Sequence, residues 1–87
     1  LCVRALGAAE PHLRPGVPCV EVYRAVRDSF AEAGVADLFP HHAGHGLGLS
    51  HPEAPFFVRD ATEVLAAGDV VAVEPGLYRD GVGGVRV

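Results

Sequence analysis

The sequence predicts an α+β fold in which two helices precede a set of antiparallel strands. Apolar residues in the first third of the 87-residue chain recur with helical spacing, whereas β-branched runs occur only near its end. Between these regions lies a segment rich in histidine, glycine and proline. A hydrophobic fraction of 49% predicts a packed interior and not a disordered chain.

The first helix is expected from Leu1 to about Leu13, where the apolar residues fall near helical spacing. Pro11 weakens the far end of this helix because proline has no backbone N–H to donate. The next five residues, 14–18, contain two prolines and a glycine, and they predict a turn.

The second helix, from Cys19 to Ala33, has the clearer pattern. Charged residues cover most of its surface, and Gly34 follows where a left-handed C-terminal cap is expected. One face is apolar and predicts contact with the core through Val22, Tyr23, Val26 and Phe30.

After Pro40 the helical period ends, and the residues that follow predict a functional loop region. A short apolar segment covers residues 55–58. The β-branched run at 70–73 is typical of a buried strand. A Pro-Gly break follows, a strand resumes at 77–78, and another begins at 85–87, which predicts an incomplete sheet with an unpaired edge.

Composition argues against several classes of protein. The net charge of −4, without a basic cluster, argues against a nucleic-acid partner. No apolar run approaches the roughly 20 residues of a membrane span, and no signal segment opens the chain. Cys2 and Cys19 lack metal-binding spacing and are expected as buried or half-buried thiols in a reducing cytoplasm. We therefore expect a cytoplasmic protein.

Two residues, His45 and Glu74, suggest a metal site. Glycines flank His45 and allow the backbone to come close to a bound ion. Glu74 ends an apolar strand and precedes Pro-Gly, so its carboxylate needs a partner at the strand's edge. Imidazole and carboxylate are ligands for zinc, manganese, iron or cobalt. The alternatives, a simple loop histidine and a turn glutamate paired with an arginine, remain open from the residues alone.

Four motif blocks occur in a fixed order along the chain: His41-x-x-Gly44-His45-Gly46-x-Gly48-Leu49, Glu53-x-Pro55, Val73-Glu74-Pro75-Gly76-x-Tyr78 and Gly83-Gly84-x-Arg86. Together they resemble the Xaa-Pro peptidase branch of the pita-bread metallopeptidases, which comprises proline dipeptidases and aminopeptidases P. The resemblance runs from about Pro15 to the last residue.

The resemblance implies that residues 1–87 form the C-terminal portion of a single metallopeptidase catalytic domain with a partial pita-bread fold. In that family two aspartates, one histidine and two glutamates hold two divalent metal ions. His45 matches the histidine and Glu74 the first glutamate. The aspartates are expected upstream of this sequence, and the second glutamate two positions beyond Arg86. Manganese or cobalt is the expected metal, with zinc or iron as alternatives.

The implied activity is hydrolysis of the bond before proline in short peptides, through water activated by two metal ions. By resemblance, Glu74 is also the proton acceptor. His41 matches a histidine that lines the substrate site, and it is assigned both a catalytic and a substrate-binding role. Arg86 matches an arginine beside the second glutamate and is assigned to substrate binding. A loop histidine and a structural ion pair are the respective alternatives for these two residues.

One position departs from the family pattern. The family usually has a histidine directly before the glutamate that Glu53 matches, and here that position is Pro52, with His51 one place earlier. Proline can neither donate a hydrogen bond through its side chain nor ligate a metal. His51 is therefore assigned as a catalytic residue only if a local shift brings it into the same space.

Two other functions remain alternatives: a creatinase-like hydrolase of non-peptide C–N bonds, and a catalytically silent binding module of the same fold. The 87 residues alone are expected to be inactive, because the resemblance places three of five ligands outside them. Family members often form dimers, so the full-length protein is expected to be a homodimer.

Overall fold

The computed structural model describes residues 1–39, 42–47, 53–79 and 83–86. In these residues two helices, α1 (Cys2–Ala9) and α2 (Cys19–Glu32), precede the strands. The strands are short and follow in the order β1 (Gly44–Gly46), β2 (Glu53–Phe57), β3 (Val71–Val73), β4 (Gly76–Arg79) and β5 (Gly83–Arg86). The predicted α+β order is confirmed.

The helices begin and end close to the predicted positions. α1 is shorter than expected: it ends at Ala9, and Glu10–His12 continue as one 3-10 turn with Pro11 near its start. The missing N–H of this proline cannot extend the α-helical hydrogen bonding, which explains the early end. α2 ends one residue before Ala33, and Gly34 has a φ of 77°, which confirms the expected left-handed cap.

The predicted apolar face of α2 forms the centre of the core. All four of its predicted contact residues are buried, and Phe30 is completely inaccessible. The ring of Phe39 extends this cluster, 5.2 Å from Phe30 in an edge-on arrangement and 5.7 Å from Tyr23 in a stacked one. Small residues of α1 lie against it (Cys2, Ala5 and Ala9), and Phe57 of β2 joins it from the sheet.

The strands form two antiparallel units, a three-stranded sheet in the order β2-β1-β3 and a β4-β5 hairpin. β1 falls in the region that the sequence predicts as loop, so that prediction is wrong for residues 44–46. Glycine is depleted in strands and adds no side chain to an alternating apolar pattern, so no local pattern indicates this strand. In the structure β1 nevertheless pairs through its backbone with β2 on one side and β3 on the other.

Gly44 shows why a glycine stands in the central strand. A Cβ atom at this position would overlap the carbonyl oxygen of Ala72 on β3 and lie 2.9 Å from the ring of Phe57 on β2. The close approach of the three strands therefore requires a residue without a side chain at this point.

The prediction of a buried strand at 70–73 is partly wrong. The strand covers Val71–Val73, its residues are only half-buried, and Val70 is 62% exposed. The reason is position: within the described residues β3 lies at an edge of its sheet, so it packs against a neighbour on one side only. The other strands begin earlier than the apolar segments that predicted them, because backbone pairing extends into glycine and glutamate.

Among the described residues, neither helix combines the length and the apolar character that crossing a membrane requires.

Candidate metal site

Pairing between β1 and β3 brings His45 and Glu74 together. His45 lies opposite Ala72 in the register, and the backbone N–H of Glu74 donates to the carbonyl oxygen of Ala43 (2.8 Å). Alternate residues of a strand share one face, so His45 and Glu74 are diagonal neighbours on the same face of the sheet. Their side chains meet there, with His45 Nε2 3.0 Å from Glu74 Oε1.

The orientation of the His45 ring is fixed. The residue is 3% exposed, and its Nδ1 lies 2.9 Å from the backbone oxygen of Gly46. A carbonyl oxygen can only accept, so Nδ1 carries the hydrogen in this contact. In the neutral ring the lone pair is then on Nε2, directed at Glu74. This arrangement, with one ring nitrogen held by a backbone carbonyl and the other available, is the usual one for a metal-binding histidine.

The Glu74 carboxylate lies between the two sheet units. Pro75 behind it is fully buried, and the β4-β5 hairpin places Arg86 opposite Gly76. The Nε atom of Arg86 approaches Glu74 Oε2 at 3.6 Å. The Glu74 side chain is 24% exposed and that of Arg86 57%. The alternative expectation, a glutamate paired with an arginine, is therefore met at Oε2 of Glu74. The other oxygen, Oε1, faces the imidazole of His45.

A third residue, His42, joins this pair, and the sequence reasoning assigned it no role. Its Nε2 lies 3.3 Å from Glu74 Oε1, and its ring centroid is 5.5 Å from that of His45 at a tilt of 58°. One ligand atom from each of His42, His45 and Glu74 lies within 4.8 Å of the others. The pairing of Ala43 with Glu74 produces this proximity, because it holds the residue just before Ala43 beside the carboxylate. The only sequence signal is a histidine three places before His45.

Of the other predicted site residues, the structure describes only Arg86. His41 and His51 lie outside the described residues, so their catalytic and substrate-binding roles remain predictions. Arg86 reaches the site through Glu74, as described, and its substrate-binding role is likewise a prediction. His42, His45 and Glu74 offer two imidazole nitrogens and a carboxylate oxygen, a donor set that suits zinc, manganese, iron and cobalt.

Both cysteines are buried free thiols in the helical part of the chain, as the sequence predicts. Burial raises the pKa of the Cys19 thiol above its ordinary value, and the negative charges of Glu63 and Asp69 raise it further. A thiol held in its neutral form is a poor nucleophile and a poor metal ligand. Cys19 is therefore not suited to act as a nucleophile or as a metal ligand.

Comparison with known proteins identifies the family to which this arrangement of two helices and antiparallel strands belongs. The chain belongs to metallopeptidase family M24, which it matches over residues 1–87. It is 44% identical over 84 residues to the protein named "Probable dipeptidase PepE" of Mycobacterium tuberculosis. That match covers 97% of this chain but only 22% of the relative.

Solved structures of larger proteins contain the same fold. The prolidase from Pyrococcus horikoshii OT3 matches with a TM-score of 0.93 and 35% identity, over 99% of this chain and 25% of that one. The Xaa-Pro dipeptidase from Bacillus anthracis matches with a TM-score of 0.93 and 36% identity, over 99% and 24%. The predicted family and pita-bread fold are thus confirmed, and the 87 residues span about a quarter of each of these proteins.

Proposed function

We propose that this chain is the C-terminal portion of the catalytic domain of a metal-dependent hydrolase that cleaves the bond before proline in short peptides. The observation that carries the proposal is the convergence of His45 Nε2 and Glu74 Oε1 at 3.0 Å on one face of the sheet. The named activities of the relatives, dipeptidase, prolidase and Xaa-Pro dipeptidase, support the substrate class. Its cellular location, in this proposal, is the cytoplasm.

His45 and Glu74 are the residues that would hold metal. Two divalent ions, manganese or cobalt by preference, would supply an activated water and a Lewis acid at the scissile carbonyl. The remaining ligands, two aspartates and a second glutamate, belong to the proposal on the strength of the family resemblance alone. The full-length protein as a homodimer rests on the same resemblance.

Glu74 has the properties of a proton acceptor. Its carboxylate is 24% exposed, so it is open to water while remaining positioned by its neighbours. The Nε atom of Arg86 lies 3.6 Å from Oε2 but does not enclose the carboxylate, because the arginine side chain itself is 57% exposed. His41 is proposed to line the substrate site, and both His41 and His51 are proposed to act as catalytic residues. Arg86 is proposed to contribute to substrate binding.

A specific observation favours a second candidate. Pro52 stands where the family usually has a histidine, and proline cannot stabilise a tetrahedral intermediate through its side chain. A creatinase-like hydrolysis of non-peptide C–N bonds would account for that change, since one fold hosts different chemistries. The retained His45 and Glu74 support a metal-dependent reaction in either case, and count against a silent binding module.

The first experiment is to sequence the reading frame on both sides of these 87 residues. The proposal expects two aspartates about ten residues apart upstream of Leu1, in line with the family resemblance, and a glutamate two positions after Arg86. Other residues at these places would leave His45 and Glu74 without the rest of the family's ligands, and the metallopeptidase proposal would fail.

The second experiment measures hydrolysis of Gly-Pro and of creatine by the full protein with added Mn²⁺ or Co²⁺. We expect Gly-Pro cleavage, and a loss of at least about a hundredfold in kcat/KM for Glu74→Gln, since a positioned proton acceptor contributes about that much or more. Glu32→Gln, at an exposed position of α2, is the matched control and should retain full activity. Cleavage of creatine alone would select the second candidate. Gly-Pro hydrolysis by the isolated 87 residues would contradict the assignment of essential ligands outside them.

A further inference from the structure

We propose that His42 is a third metal ligand, additional to the histidine and glutamate that the family resemblance assigns to this part of the chain. The inference rests on the metal-binding part of the proposed function and extends it to a residue that the motif comparison leaves unassigned. It gives the described residues a local site of two imidazoles and one carboxylate, for a divalent transition-metal ion.

The separations between the donor atoms fit a common ion. Metal bonds to histidine nitrogen and carboxylate oxygen are about 2.0–2.2 Å long, so neighbouring ligands in tetrahedral or octahedral sites lie about 2.8–3.6 Å apart. Glu74 Oε1 is 3.0 Å from His45 Nε2 and 3.3 Å from His42 Nε2. Both separations fall within that interval. The set of two histidines and one glutamate occurs in zinc hydrolases, and two histidines with a carboxylate also bind iron.

The positions of the ring nitrogens also favour a cation at this point. His45 Nδ1 lies 2.9 Å from the Gly46 carbonyl oxygen, so the other ring nitrogen, Nε2, is the one that faces Glu74 Oε1 at 3.0 Å. His42 Nε2 approaches the same oxygen from a second direction. One divalent ion placed among these two nitrogens and one oxygen would be coordinated by all three atoms together.

The packing of the two rings agrees with this assignment. A tilt of 58° and a centroid distance of 5.5 Å keep the imidazole planes from lying face to face. In this arrangement both Nε2 atoms approach the same carboxylate oxygen, at 3.3 Å from His42 and 3.0 Å from His45. The His42 side chain is 33% exposed, which leaves the site accessible to an ion from solution.

The first test uses the full protein labelled with ¹⁵N-histidine, to which Zn²⁺ is added. The proposal expects the Nε2 resonances of both His42 and His45 to move to the metal-bound range, while those of His12 do not change. His12 is a suitable internal control because it lies in the 3-10 turn after α1. A His45 response without a His42 response would overturn this inference and leave the proposed function intact. No response from either would overturn both.

The second test is calorimetric titration of Zn²⁺ into variants of the full protein. His42→Ala should raise the Kd by at least about tenfold, since even residues that only support a ligand contribute tenfold to a hundredfold. His12→Ala should leave the Kd unchanged. A His42→Ala variant with wild-type affinity and a wild-type unfolding midpoint in the absence of metal would refute the assignment.

Discussion

Gly44→Ala is the substitution that most directly connects the fold to the candidate site. Gly44 lies between β2 and β3, opposite Val73 and next to His45. An added Cβ would overlap the Ala72 carbonyl oxygen and lie 3.0 Å from the Ala72 carbonyl carbon. Both atoms belong to the backbone of β3, so no side-chain rotation can relieve the overlap. Relief requires β3 to move away from β1.

The cost of that movement follows from the contacts it disturbs. Overpacking a dense interior costs about 1–3 kcal/mol. Weakening the backbone hydrogen bonds between β1 and β3 adds about 0.5–1.5 kcal/mol for each bond lost. We expect Gly44→Ala to lower the free energy of unfolding by about 2–4 kcal/mol in total, which is roughly 30-fold or more in the folding equilibrium. The same displacement separates Glu74 from His45, so Zn²⁺ affinity should fall as well.

Urea unfolding of the full protein, followed by circular dichroism, measures this effect, with Gly7→Ala as the matched control. Gly7 lies in α1, and an added Cβ there meets nothing within 4 Å. Alanine is preferred to glycine inside a helix by about 0.5–1 kcal/mol, so Gly7→Ala should stabilise the protein. A Gly44→Ala variant as stable as the wild type would show that the strands do not approach as closely as the structure indicates.

Two further predictions concern the helical core. Phe30→Ala removes a fully buried ring that contacts Phe39, and should lower the free energy of unfolding by about 3–5 kcal/mol in urea titrations; a loss below about 1 kcal/mol would contradict the packing described for α2. The pKa of the Cys19 thiol is raised in the folded state, so the folded protein keeps this proton at pH values where the unfolded chain has lost it. The free energy of unfolding should therefore decline as the pH rises above about 8.5, the ordinary pKa of cysteine. Unfolding midpoints between neutral and alkaline pH should fall less for Cys19→Ala than for the wild type, and equal slopes would refute the role of this thiol.

The sequence predicts the parts of the fold that depend on local periodicity. The face of α2 that includes Phe30 repeats with the helical period, and the cap at Gly34 follows from the conformational freedom of glycine. β1 could not be found in this way, because its pairing is carried by glycine backbone and not by alternating side chains. The partial burial of β3 could not be predicted either, because a run of valines does not show whether the strand has one neighbouring strand or two.

The residues of the candidate site also differ in whether a local sequence pattern could identify them. His45 and Glu74 could be selected from sequence because glycine and proline around them form recognisable motifs. His42 could not, because its position beside Glu74 depends on the register between β1 and β3, a long-range property that no local pattern encodes. The register places Ala43 opposite Glu74, and only then does the preceding histidine come within reach.

Charge limits what the described cluster can hold. Glu74 is the single carboxylate among its three ligand residues, and the guanidinium of Arg86 already offsets part of its charge. One divalent ion with three donor atoms is a workable site, since zinc is bound catalytically by two histidines and a glutamate. A second divalent ion in the same space would add two more positive charges without a carboxylate to balance them, which a partly buried site does not tolerate. A two-metal reaction therefore requires further acidic ligands from outside these residues, in agreement with the aspartate pair and second glutamate of the proposal. His42 and the further carboxylates therefore have different roles in the two proposals: His42 would add a third ligand to one ion, and the carboxylates would balance the charge of two ions.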